Sequence, residues 1–480
     1  MLDNQERGGG YTETVPVPAL LSMRRKWATA FIVCLGTAML CLDSAVVNTA
    51  LPKIARDLHA GLTSLQWVVD AYTLVLAAVV LSAGSVGDRR GRRRVFAIGV
   101  VVFTASSLAC ALAPDIGFLD GARAVQGLGS GMMFATGLAI LADAFPPAER
   151  ANPIAAYGAT IGAAYALGPA VGGALTDWVG WRAVFYINIP LGILALLGVY
   201  AWLRESRHPH ARRLDWAGQL ALSGGLFLLV LALLRGNSDG WGSAPIAAEL
   251  AGACALLVAF IVAEVITPVP MLPLRMFARR DFSATQVTSF AISAGFFSLY
   301  LYLTLYLQNV LGLAALDAGL ALLPGTALLF LVSAASAPLA GRFTPGLLLP
   351  AGLSLVAAGV SLMAIVGPHS SWTAILPGFL IAAAGTGIVN PVSAILGMSA
   401  GPPEDSGLLA GAMDTFRYTG IAVGIAAFGA LLPAGAADGL GSASAFVAGF
   451  RHALLVGGAV TLAGAVAVTI LIGANRRKAQ

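Results

Sequence analysis

The chain has 480 residues, 58% of them hydrophobic and only 11% charged, against roughly 25% charged in a soluble domain. That balance excludes a water-soluble globule, and continuous apolar runs exclude the alternating pattern of a membrane β-barrel, which leaves an all-α polytopic membrane protein. The net charge of +5 lies in short loops at the membrane edges and reads as topology, so no nucleic-acid partner is expected.

Hydropathy places fourteen helices, at 27–50, 65–85, 95–113, 117–142, 152–175, 182–203, 215–234, 245–266, 283–308, 317–340, 346–366, 372–397, 407–432 and 451–473. The opening run MRRKWATAFIVCLG has the charged and apolar regions of a signal peptide, but a long span follows without a convincing cleavage site, so it is expected to stay as the first helix. Helix 1 carries Asp43 in its outward half and helix 2 carries Asp70 near its outer end. A charge in hydrocarbon costs from about 2.5 kcal/mol upward and is kept for a reason. Asp43 is a proton-coupling candidate with an interfacial cap as the alternative, and Asp70 is another unless it faces outer water.

Between helices 2 and 3, GSVGDRRGRRR packs charges around Gly91. Its arginines alone would serve as a topology signal or as anionic-lipid contacts. The glycines and the single carboxylate, Gly84, Gly87, Asp88 and Gly91, ask for a tight turn as well. Helix 4 brings Arg123, either a structural partner of helix 1 or a fixed cation that favours proton release from a neighbouring carboxylate. In helix 5, Gly158, Gly162, Gly168, Gly172 and Gly173 clear side chains and Pro169 removes a backbone donor. Close helix packing and a pliable seam both fit that composition.

Helix 8 has Glu249 and Glu264 at its two ends, where solvation is the expected state. Helix 9 reads FFSLYLYLTLYLQN and sets Tyr302 and Tyr306 on one face, with Tyr300 elsewhere. Gln126, Phe296, Tyr302 and Asn390 are candidates for cavity lining, with ordinary packing as the alternative. In helix 13, Asp414 and Arg417 stand three residues apart on one face, as a self-neutralised pair or as a second acidic site.

The cysteines, Cys34, Cys41, Cys110 and Cys254, all fall in spans and are expected to be reduced packing residues. The five histidines, at 59, 208, 210, 369 and 452, fall in loops or at helix edges, against a midplane histidine relay. No metal-ligand spacing and no nucleotide-binding P-loop occur, so neither a metal, a cofactor nor ATP is expected, and the chain is not expected to be an enzyme.

With the amino terminus inside, cytoplasmic segments hold 21 Lys and Arg and outer ones five, Arg123 and Arg417 completing the 28. That asymmetry puts both termini in the cytoplasm. Three glycine pairs, Gly84 with Gly341, Gly129 with Gly385 and Gly168 with Gly424, repeat at shifts of 256 or 257, which argues for a duplicated bundle. The expected organisation is a tail at 1–23, a six-helix bundle at 24–204, a linker with two extra helices at 205–280, a second six-helix bundle at 281–474 and a tail at 475–480.

At the loop, GSVGDRRGRRR resembles the signature of the major facilitator superfamily between helices 2 and 3. LDSAVVNTALPKI (42–54), RAVQGLGSG (123–131), ALGPAVGGAL (166–175) and WRAVFYINIPLG (181–192) extend the resemblance to the fourteen-helix drug:proton antiporter branch. The resemblance implies a cytoplasmic latch built by Gly84, Gly87, Asp88, Arg89, Gly91, Arg92 and Arg93, with Asp88 engaging charge and a helix terminus across the bundle interface. It implies an antiport motif in Gly158, Gly162, Gly168, Pro169, Gly172 and Gly173. Many relatives carry an amide where Asp414 stands. The expectation is a plasma-membrane exporter, a monomer, that exchanges protons for an amphipathic small molecule of cationic or lipophilic kind, energised by the proton gradient and using alternating access. A proton-coupled carrier of a lipid, sugar or amino acid, or a non-transporting receptor on the same fold, stays open.

Overall fold

The computed structural model describes residues 22–146, 149–207, 215–267, 270, 272–401, 406–433 and 443–476. The cytoplasmic tails expected at 1–23 and 475–480 fall mostly outside them, as do His208 and His210. Fourteen spans follow one another: α1 (Met23–Leu58), α2 (Leu62–Arg90), α3 (Arg92–Ala111), α4 (Ile116–Ala144), α5 (Ala151–Trp178), α6 (Ala183–Trp202) and α7 (Trp216–Asp239) come first. Then come α8 (Ala244–Ile266), α9 (Arg280–Val310), α10 (Ala315–Arg342), α11 (Pro345–Leu362), α12 (Leu376–Ser399), α13 (Ser406–Gly429) and α14 (Ala443–Arg476). Among the described residues no strand occurs, and 13 helices are long and apolar enough to cross a membrane. The remaining one, α13, has 24 residues and carries both Asp414 and Arg417.

Several helices outrun the apolar segments that announce them. Helix 1 was expected at 27–50 and runs Met23–Leu58, because hydropathy marks only the stretch that suits hydrocarbon while the backbone hydrogen bonds continue into the interface. The α9 span is not a plain helix. Its turns widen to π geometry at Ser293–Phe297 and Tyr306–Val310, a local insertion that rotates the face presented downstream.

The packing repeats at a spacing of eight helices. In the first bundle α3 packs on α4, α2 on α4, α1 on α5 and α1 on α6; in the second α11 packs on α12, α10 on α12, α9 on α13 and α9 on α14. Two of the three glycine pairs found by sequence sit at matching contacts; the surroundings of Gly341 lie outside the described residues. Gly168 of α5 abuts Ala45 of α1 while Gly424 of α13 abuts Ser298 and Ala294 of α9, and Gly129 of α4 meets α3 while Gly385 of α12 meets α11. The α7–α8 hairpin packs on itself and lies against α2 and α13.

The two bundles meet along two related seams, α2 against α13 and α5 against α10. At the α5 seam the approach is close because one helix face has no side chains. A Cβ on Gly168 or Gly172 would collide with α1, and one on Gly173 with the backbone of Ala315 and Leu316. Pro169 presents its carbonyl to Gly319 of α10, again with no room for a methyl group. Gly162 lies beneath the ring of Phe330, and Gly158 faces open space.

Candidate functional site

The centre of the amino-terminal bundle holds an ion pair. Asp43 and Arg123 are 0% and 1% exposed, and Arg123 Nη1 donates to Asp43 Oδ2 at 2.5 Å. The other carboxylate oxygen accepts from Gln126 Nε2 at 3.0 Å and from Asn188 Nδ2 at 2.8 Å. Ser107 Oγ accepts from both amides, at 2.7 and 3.0 Å. Arg123 also donates from Nε to the Val68 carbonyl at 2.9 Å and from Nη1 to Gln126 Oε1 at 2.7 Å, and its guanidinium lies 4.2 Å from the centre of the Tyr72 ring. Five helices, α1, α2, α3, α4 and α6, therefore close on one charge pair. Its burial is tolerated because each charge has several hydrogen-bond partners.

This arrangement makes Arg123 a partner of helix 1, one of its two open readings, and gives Gln126 the packing role and not the cavity one. Gln126 does not line a cavity but is 0% exposed and clamps Asp43. Asn188 is the residue that sequence reasoning missed. It lies in the FYINIP segment, 145 residues from Asp43, and a lone amide has no periodicity to reveal such a contact.

Asp70 sits on α2 one turn beyond Gln66. Gln66 Nε2 crosses the seam to Tyr302 Oη at 2.8 Å and to the Ile425 carbonyl at 3.0 Å, and the Tyr302 hydroxyl donates to that same carbonyl. Spacing of four residues puts Asp70 on the face that meets the second bundle. Asp70 is 0% exposed, and neither carboxyl oxygen has a hydrogen-bond partner among the described residues. The alternative that Asp70 faces outer water is thereby excluded for this conformation.

Asp414 and Arg417 face each other on α13 at 3.7 Å, longer than a hydrogen bond, with side chains 11% and 26% exposed. Tyr302 and Phe296, expected to line a cavity, are both 0% exposed. The π turns of α9 direct Tyr302 into the α2–α13 seam and Phe296 into a ring cluster with Phe297, Tyr300 and Phe379. Asn390 on α12 stays partly exposed. Glu264, expected to be solvated, is 3% exposed and accepts from the Leu272 backbone N–H at 2.9 Å, whereas Glu249 pairs with Arg235 at 2.5 Å. All four cysteines are free, and Cys254 is exposed on α8, not packed inside.

The loop between α2 and α3 is a compact ionic turn. Arg92 Nε pairs with Asp88 at 2.8 Å and its Nη1 lies 3.7 Å from Asp143 at the end of α4. Gly91 adopts a φ of +115°, and a Cβ there would also run into the Glu205 carboxylate. Glu205 accepts from Arg93 N at 3.1 Å, at the amino terminus of α3, and Arg89 is exposed. Gly84 and Gly87 bring α2 against Ala135 and Thr136 of α4. Among the described residues the ionic partners of Asp88 and Arg92 lie in the first bundle and that of Arg94 is Glu205, at the start of the linker, so in this conformation Asp88 does not make the expected contact across the interface. At the opposite end the bundles are tied together: Gln308 Nε2 donates to the Thr49 carbonyl at 2.8 Å, and the backbone N–H of Leu316, at the start of α10, donates to Asp177 of α5 at 2.8 Å.

The family pattern for the Major Facilitator Superfamily matches residues 33–425. The chain is similar to the Multidrug resistance protein Stp of Mycobacterium tuberculosis (strain CDC 1551 / Oshkosh), with 36% identity over 83% of this chain and 74% of that one. It is similar to the Tetracenomycin C resistance and export protein of Streptomyces glaucescens, with 33% identity over 86% of this chain and 77% of that one. Among solved structures, a bacterial homolog of the human lysosomal transporter Spinster, in an inward-facing and unoccupied conformation, superposes with a TM-score of 0.68 at 17% identity, over 94% of this chain and 98% of that one. A fourteen-span chain of two repeated bundles, matched over most of its length, belongs to the Major Facilitator Superfamily.

Proposed function

We propose that the protein exports amphipathic small molecules, drugs or antibiotics among them, by exchange for protons through alternating access. It is a transporter and not an enzyme, in keeping with its family and with relatives named for multidrug resistance and antibiotic export. The observation that carries the proton part is Asp70, a fully buried carboxyl group with no hydrogen-bond donor among the described residues, placed where the bundles part. A carboxylate in such surroundings is tolerable only in its neutral form, whereas opening of the α2–α13 seam to water allows it to ionise. One carboxyl group then alternates between two protonation states as the seam opens and closes, as coupling requires.

The arginine-rich end is the cytoplasmic one by charge asymmetry, so the Gln308–Thr49 and Asp177–Leu316 ties close the outer side. Both termini are then cytoplasmic, the protein works as a monomer, and no cofactor beyond the proton gradient enters the cycle. Asp43, paired with Arg123, holds the first bundle together. Domain limits are put at 204, 280 and 474, a division that the repeated packing supports.

The test uses inside-out vesicles with an acidic lumen. Antibiotics and lipophilic dyes are added and proton efflux is followed with a pH-sensitive dye. Release by some compounds, absent in folded Asp70→Asn, is the expected result. Equal release by that variant removes Asp70 from the coupling, and no release by native protein removes proton exchange.

A further inference from the structure

The seam that buries Asp70 is sealed differently on its two sides. Gln66, Asp70, Ala77 and Leu81 follow one another along one stripe of α2. Three of them meet α13 at identified points. Gln66 bonds to the Ile425 carbonyl, the Ala77 carbonyl accepts from Thr415 Oγ1 at 3.3 Å, and Leu81 lies 3.0 Å from where a Cβ on Gly411 would be. That antiparallel register sets Asp70 level with Ala422, between the Gln66 and Ala77 contacts. On the lipid side α7 covers the same stretch of α2: the Phe227 ring centre lies 5.8 Å from that of Trp67, and Gln219 Nε2 donates to the Ala78 carbonyl at 2.6 Å.

On the amino-terminal side of Asp70, the outer one by charge asymmetry, the seal is polar. Gln66 Nε2 donates to Tyr302 Oη at 2.8 Å and to the Ile425 carbonyl at 3.0 Å, and the Tyr302 hydroxyl donates to that carbonyl, so α2, α9 and α13 share one buried knot. The fit is tight. A Cβ on Gly429 would collide with the Gln66 amide, and Phe428 meets the Tyr302 ring edge to face at 6.3 Å. One turn of helix, about 6 Å, separates Gln66 from Asp70. On the inner side the contacts are apolar apart from the Thr415 bond, made by Ala77, Leu81, Gly411 and their neighbours. Among charged groups, Arg123 reaches α2 at the Val68 carbonyl but is held by Asp43, and Asp414 and Arg417 stand on α13 inward of Ala422. Water can take over each hydrogen bond of the outer knot as it parts, whereas an apolar contact offers water nothing to bond to.

We propose that Gln66 and Tyr302 form a proton gate on the outer side of Asp70. Joined across the seam, they keep outer water from the carboxyl; parted, they let its proton exchange. Neither residue takes up the proton, so both act by position. The inference rests on the export reading above, in which Asp70 is the coupling carboxyl, and it adds the residues that decide when that carboxyl is loaded. This gate is separate in place from the Gln308–Thr49 and Asp177–Leu316 ties, which join α1 to α9 and α5 to α10.

The test needs no transport. Protein in nanodiscs is moved into deuterated buffer, and infrared spectroscopy follows the carboxylic C=O band that Asp70→Asn lacks as its proton is replaced by deuterium. Exchange through a local opening follows the equilibrium of that opening. Gln66→Ala removes the bridge and is expected to speed exchange about tenfold or more, the factor that one lost hydrogen bond sets. Tyr302→Phe, which leaves Gln66 on the Ile425 carbonyl, is expected to fall between native and Gln66→Ala, and Thr415→Ala, on the inner side, to match native protein. Thermal unfolding shows that each variant is folded. Equal rates in native protein and in folded Gln66→Ala and Tyr302→Phe, acceleration by Thr415→Ala as large as by Gln66→Ala, or absence of the band from native protein overturns the proposal. Should vesicles show no proton exchange while the Asp70 band depends on Gln66, the coupling reading fails and the gate stands. Should export depend on Asp70 while exchange ignores Gln66 and Tyr302, the gate fails and the coupling reading stands.

Discussion

Asp43 and Arg123 illustrate how a charge survives at membrane depth. Removing one partner of a buried pair costs about 3–5 kcal/mol because the other is left uncompensated, whereas replacing both is often near neutral. Asp43→Asn is therefore expected to lower the unfolding temperature sharply, and Asp43→Asn with Arg123→Gln to cost much less than the sum of the single changes. A thermal-shift double-mutant cycle measures this, and strict additivity would show that the pair does not act as a unit. The members of this pair stand out in sequence because each is a charge in an apolar run. Gln126 and Asn188 do not, since amides are common enough in spans to pass for lining or packing. Their shared contact with one oxygen of Asp43 is created only by folding. Which of its two readings Tyr302 takes was hidden for a different reason: a helical-wheel reading of α9 assumes a uniform turn, and π turns on either side of Leu299–Leu305 change the face it presents.

Among the elements, α5 depends on absent side chains. Gly172 touches Thr49 and Val46, with no space for a methyl group, and Gly173 touches the start of α10. Gly172→Val is expected to cost at least about 1–3 kcal/mol through overpacking and to abolish export. Gly158→Ala, whose new methyl meets nothing within 4 Å, should leave stability unchanged or raise it by up to about 1 kcal/mol. Thermal unfolding and resistance of expressing cells report the two effects, and equal damage from both would mean that the contacts of α5 do not matter individually. The α2–α3 turn offers a second contrast. Gly91→Ala meets both a φ of +115° and the Glu205 carboxylate, whereas Arg89→Ala changes an exposed side chain. A drop in unfolding temperature is expected for the first alone. The number and order of helices were legible because each needs an apolar run of bilayer length. Their true ends were not, because hydrogen bonding in a helix does not stop where hydrocarbon does.

At the scale of the molecule, duplication produces the seams. Repetition of packing at a spacing of eight helices makes α2–α13 and α5–α10 related interfaces, and a cycle that opens one end must close the other. Here the end opposite the arginine-rich loop is closed by Asp177 on the α10 terminus and Gln308 on α1. Cysteines placed at Asp177 and Leu316, in a background lacking the four native cysteines, are expected to cross-link under oxidation and stop export until a reductant restores it. Export that continues through the cross-link would show that these helices do not separate. In the proposed mechanism the protonation of Asp70 at the other seam links this motion to protons. Infrared difference spectroscopy on protein in nanodiscs reads it directly, as the carboxylic C=O band that is present in native protein and missing in Asp70→Asn. Loss of that band when an exported compound is added, with a proton appearing in the medium, is the predicted result. A band absent from resting native protein, or one that cargo leaves unchanged, would contradict Asp70 as the coupling carboxyl.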